Sequence, residues 1–126
     1  MRFLHFSLPA ASLLFAPSPA TAADENAVFF NQLRPVVSAL KKCAELSVFE
    51  YMKDLTGAAL AAEQAVMKCT VERVAIRDKA FELFRSVADE RYAKFKADRM
   101  EQSMRMFVIG QISEATDSAI VEAQNK

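Results

Sequence analysis

The sequence reads as all-α: a disulfide-stapled antiparallel helical hairpin extended to a three-helix bundle. Three observations predict this class. After residue 22, glycine occurs only at Gly57 and Gly110 and proline only at Pro35, while Ala, Glu, Lys, Arg, Leu and Met dominate. That composition favours helix, and the Val/Ile/Thr/Tyr clusters of strands are missing. Apolar residues recur at spacings of three and four along the same region. Finally, the only two cysteines stand symmetrically about a turn signal, Leu55-Thr56-Gly57, with Cys43 thirteen residues before Thr56 and Cys69 thirteen after it.

Residues 1–22 read as a cleavable signal peptide. Met1-Arg2 is a short positive start, Phe3–Ala16 is mostly apolar, and Ala20-Thr21-Ala22 fits the A-x-A cleavage pattern. Pro9 and Pro17 interrupt the run, which is too short to cross ~30 Å of hydrocarbon. Cleavage after Ala22 leaves 104 of the 126 residues, and cleavage after Ala23 fits nearly as well. The expectation is one helical domain over residues 23–126, periplasmic or secreted.

The first helix is expected from about Asn26 or Asn31 to Asp54, with an apolar stripe of Phe29, Leu33, Val36, Leu40, Cys43, Ser47 and Tyr51. With Asn31 as the cap, Pro35 falls in or near the first turn; with an earlier start it should kink the helix. The second helix follows Thr56 as N-cap. No Gly or Pro occurs from Ala58 to Ile109. One face carries Ala62, Val66, Cys69, Ile76, Ala80, Leu83 and Val87. Another carries Leu60, Met67, Val74, Phe81, Ala88 and Phe95, supported by Val71, Phe84 and Tyr92. A helix with two apolar faces needs a second partner. Met100, Met104, Phe107, Val108, Ile112, Ala115 and Ala119 can supply it. Asp98-Arg99-Met100-Glu101 has the form of a capping box that would start this third helix. The alternative is a hairpin with one very long second helix, from Gly57 to about Glu122, near 100 Å at ~1.5 Å per residue. Such a rod would require a homodimer through its exposed stripe.

A hairpin centred on Thr56 pairs Phe29 with Leu83, Val36 with Ile76, and Cys43 with Cys69, all on stripes read independently. Packed helix axes lie ~8–10 Å apart, whereas disulfide Cα atoms approach to ~4.4–6.8 Å. Ala39, Ala44, Ser47 and Ala65 are small enough to permit that approach. The alternative for the pair is two buried free thiols. A redox pair would use C-x-x-C at a helix N-terminus, where the dipole lowers the thiol pKa. Both cysteines here are read as mid-helix, which favours a structural bridge in an oxidising compartment.

Several activities find no support. The only histidine, His5, lies in the leader, so imidazole-based catalysis and His-ligated metals are excluded from the chain after cleavage. Loss of Arg2 with the leader leaves 15 basic against 16 acidic residues, which does not suggest a nucleic-acid binder. Asp89/Glu90 and Glu72/Asp78 do not share a helix face as an acid–base pair would. No Gly-rich loop, nucleophile turn or metal-ligand run occurs. Met100 and Met104 converge as two soft ligands, with Met106 pointing nearly opposite to Met104; core or interface packing is the simpler use. Arg91, Lys94, Lys96 and Arg99 interleave with acids as a solvated helix face.

The hairpin resembles a loose group of small exported bacterial proteins of unknown function, which carry one Cys on each of two helices. The matching residues are Cys43-Ala44, Leu60-Ala61-Ala62 and Cys69, within about residues 40 to 75. The resemblance implies the bridge and the bacterial periplasm, and no activity.

The functional expectation is a non-enzymatic exported helical protein of the cell envelope, without cofactor or metal. It would bind an unknown protein or an envelope surface through Phe81, Phe84, Tyr92, Phe95, Met100, Met104 and Phe107. The alternative is a carrier holding a small molecule between helices or Cu(I) on the Met cluster.

Overall fold

The computed structural model describes the backbone of residues 17–53 and 57–125, and side-chain exposure from residue 27 onward outside 54–56 and 126. Most of the leader therefore lies outside the described residues, as does Thr56, the expected N-cap. Four helices are described: α1 (Pro17–Tyr51), α2 (Ala58–Lys68), α3 (Thr70–Arg85) and α4 (Glu90–Gln124). The chain divides into two compact units, residues 1–32 and 33–126. In the first, the rings of Phe29 and Phe30 meet edge to face at 5.9 Å. The core, the bridge and the candidate surface belong to the second.

The all-α class and the bridge stand. The three-helix bundle does not, and neither does its long-rod alternative: the fold is a disulfide-linked four-helix bundle. The region read as one second helix breaks twice. The first break is at Cys69, whose φ of −82° and ψ of 62° are those of an inverse γ-turn rather than a helix. Its N–H reaches back only three residues, to the Val66 carbonyl at 3.1 Å, and its own carbonyl accepts from the Arg73 N–H at 3.0 Å. Cys69 thus ends α2 and begins α3. The Arg73 guanidinium donates to the Met67 carbonyl at 3.0 Å, satisfying an acceptor that the end of α2 leaves free. Cys69 is therefore at a helix junction, not mid-helix as the sequence suggested.

The second break falls at Ser86–Asp89, not at Asp98. Asp89 is the N-cap of α4, its Oδ1 accepting from the Tyr92 N–H at 2.8 Å. Ser86 Oγ donates to the Leu83 carbonyl at 2.6 Å, and Arg85 Nη1 donates to the Ala88 carbonyl at 3.2 Å, so the turn is held without Gly or Pro. The Asp98–Glu101 motif lies inside α4, where its N–H groups are already bonded along the helix. Asp89→Ala is expected to cost about 1 kcal/mol. In a thermal melt that lowers Tm by about 4–8 °C, while Asp98→Ala leaves it nearly unchanged.

Helix α1 begins well before Asn31, so Pro35 is an interior residue. It lacks the N–H that would otherwise bond to the Asn31 carbonyl. At the other end α1 stops at Tyr51, and Gly57, at φ +100°, provides the left-handed residue from which α2 starts.

The core draws on all four helices: Leu40, Ala44 and Val48 from α1, Ala61, Ala62, Ala65 and Val66 from α2, Ile76 from α3, and Val108 and Ile112 from α4. Cys69 joins this cluster, and Cys43 packs against it. The cysteine Cα atoms are 6.2 Å apart, closer than ordinary helix axes. Fully buried Ala44, Ala61, Ala62 and Ala65 are among the small residues at this level. At about 50 Å, α4 is long enough to lie along both α2 and α3, and it contacts both.

Candidate docking surface

Helix α4 buries one side and leaves the other bare. Ala93, Ala97, Val108, Ile112 and Thr116 form the buried side. The opposite face carries Tyr92, Phe95, Met106, Phe107 and Val121, each half exposed or more. Single exposed apolar residues are ordinary, but these five recur on one face of a single helix, with Lys96, Arg99, Ser103, Gly110, Glu114 and Asp117 interspersed among them.

The residues expected to bind a partner separate into four groups. Tyr92, Phe95 and Phe107 lie on this outward strip. Phe84 and Met100 are half-buried and join Phe95, Lys96, Arg99 and Ser103 around a groove of ≈ 280 Å³ between α3 and α4. Phe81 lies in a neighbouring groove, where Arg77, Asp78, Lys94 and Asp98 bring both charge signs. Met104 is half-buried and packs against the core. Two of the strip residues, Met106 and Val121, were not among those expected. In the sequence Met106 stands out only as pointing nearly opposite to Met104.

The first groove has cations and no acid. The Lys96 ammonium lies 5.8 Å from the Phe84 ring centroid and 5.9 Å from that of Tyr92, and the Arg99 guanidinium lies 5.6 Å from the Phe95 centroid. The negative ring faces hold these cations beside the apolar strip, each contact contributing about 0.5–1 kcal/mol at an exposed site. Further along, Arg105 ties α4 down. Its Nη2 donates to Glu101 Oε1 at 3.1 Å, its Nε lies 3.0 Å from Glu101 Oε2 without hydrogen-bond alignment, and its Nη1 reaches Met67 Sδ of α2 at 3.4 Å. This half-buried pair adds one polar contact between α4 and α2 beside the buried side of α4.

Of the faces read from the sequence, the one carrying Ala62, Val66, Cys69, Ile76 and Ala80 is buried, but Val87 is 81 % exposed because the chain turns at Ser86. The second face is covered only in part: Val74, Phe81 and Phe84 are half-buried, while Leu60 and Val71 remain exposed.

One grouping resembles a metal site in composition. Sulfur atoms of Cys43 and Cys69 and a Glu72 carboxylate oxygen all lie within 4.8 Å of one another. Both sulfurs are spent in the bridge, so neither is a thiolate ligand. Met100 and Met104 do not combine into a soft site either, because Met104 is committed to the core.

No helix among the described residues is long and apolar enough to cross a membrane. No protein-family model, curated protein or solved structure matches the chain.

Proposed function

We propose that the chain is a non-enzymatic, exported interaction protein of the bacterial envelope that docks through the outer face of α4. The single observation behind docking is that Tyr92, Phe95, Met106, Phe107 and Val121 share one outward face, although the bundle has a complete core without them. What supports export is the leader pattern of residues 1–22, together with a bridge that persists in oxidising compartments. The bacterial envelope comes from the resemblance of the two-cysteine hairpin to small exported proteins. On this reading the bridge and core hold α4 rigid, and the apolar strip, flanked by Lys96 and Arg99, receives a helix-like surface.

Photo-crosslinking tests it. A photoreactive phenylalanine at position 95 or 107 of the exported protein is expected to give discrete light-dependent adducts. The same residue at Glu82, exposed on α3, is expected to give none. Equal labelling at all three positions, or none at any, would count against a docking face on α4.

A further inference from the structure

The occupant of this face can be named from its charge pattern. Along the outward side of α4, Lys96 (half-buried, at the rim beside Phe84) and exposed Arg99 stand near the start, and exposed Glu114 and Asp117 stand towards the end. None of the four forms a salt bridge within the chain among the described residues. Residues 106–125 contain Glu114, Asp117 and Glu122 but no Lys or Arg. The last turn of α4 therefore carries acid and no base, the opposite of what the helix macrodipole favours. The helix's own stability does not account for this arrangement.

Between the charged ends lie Ser103, Met106, Phe107 and Gly110, all exposed. Gly110 sits in mid-helix, where glycine is less favourable than alanine. Nothing within the chain requires it: its φ is not positive, and an added Cβ would meet no atom within 4 Å. Small residues at such a position are useful where a second helix approaches closely.

We infer that a second copy of this chain occupies the face, with the two α4 helices antiparallel about a two-fold axis between Met106 and Phe107. In that arrangement Ser103 of one copy is level with Gly110 of the other, and Tyr92 is level with Val121. Arg99 is level with Glu114, and Lys96 with Asp117. Every outward charge thus meets its opposite, twice over, because a two-fold interface uses the same surface on both partners. A parallel pairing would set like charges against each other. Met106 and Phe107 close the centre from both sides, and the macrodipoles run in opposite directions. This pairing rests on the proposal that α4 carries the docking face, and it identifies the partner.

Sedimentation velocity on the full exported chain, with its bridge intact, tests the pairing. The wild-type protein is expected to be dimeric at micromolar concentration. Lys96→Glu with Arg99→Glu makes the strip wholly acidic, and Glu114→Lys with Asp117→Lys makes it wholly basic. Each double variant alone is expected to dimerise about 100-fold more weakly, since like charges then face each other across the two-fold axis. Mixed one to one, the two are expected to form a heterodimer, which shows that both still fold. Gly110→Leu, for which the isolated chain has room, is expected to weaken dimerisation at least about tenfold through the closer packing it blocks. Failure of the oppositely charged variants to associate would overturn the pairing. So would a wild-type monomer at 100-fold higher concentration than about 1 μM. If that monomer still gave adducts from position 95 or 107 to a partner of different mass, self-pairing would fall while the docking face would stand.

Discussion

Replacing both bridge cysteines, Cys43→Ala with Cys69→Ala, is expected to lower the stability by about 3.5 kcal/mol. The bridge closes a loop of 26 residues, and the figure is the conformational entropy that this closure removes from the unfolded chain. For a domain of this size the midpoint of thermal unfolding should fall by about 15 °C or more. Circular dichroism melts with and without reductant are the check, the double variant serving as a reference that reductant no longer changes. The expected loss follows from the length of the closed loop, which ties α1 to the α2–α3 junction. A fall of only a few degrees would mean that core packing holds the two elements together without the staple.

Ile76→Ala carries the second large effect. Ile76 is fully buried and is the α3 member of the cluster that also takes Leu40 and Val48 from α1, Val66 from α2, and Val108 and Ile112 from α4. Truncating it removes three carbons and leaves a cavity that the surrounding side chains can only partly fill. The expected cost is about 2–5 kcal/mol, read from urea unfolding. Val71→Ala, five residues earlier on the same helix and 77 % exposed, should change stability by no more than about 0.5 kcal/mol. Similar values for the two would contradict the placement of α3 in the core.

The bridge was legible in the sequence because two independent patterns agreed. The symmetry of Cys43 and Cys69 about the turn set the register, and Ala44 and Ala65 announced a close approach. The break at Cys69 was not legible. Neither Gly nor Pro marks it, and the turn is completed by Arg73 reaching back to the Met67 carbonyl, a contact between side chain and backbone that no periodicity reveals. At the next break the signal existed but pointed to the wrong place. Asp98 with Glu101 matches a capping box better than Asp89 does. Yet the stripe Ala93, Ala97, Met104, Val108 and Ile112 runs unbroken through Asp98, and ending a helix there would have split it.

The candidate surface was legible as a surplus of apolar residues, but not as a particular face. Tyr92, Phe95 and Phe107 remain outside, while Met104 turns inward, because burial of Ala93, Ala97, Val108 and Ile112 against the neighbouring helices sets the rotation of α4. That rotation joins residues from separate helices and lies beyond a one-dimensional reading. The charges at Glu114 and Asp117 carried no weight in the sequence, since acids on a helix are ordinary until the face they share is known.

Native mass spectrometry of the protein exported by a bacterial host, before and after reduction, tests the central claim of an exported, bridge-stapled docking protein most directly. The expected result is a chain shortened at Ala22 or Ala23 that lacks the two thiol hydrogens until reductant is added, seen mainly at twice the monomer mass. A full-length chain with both thiols free would contradict the claim.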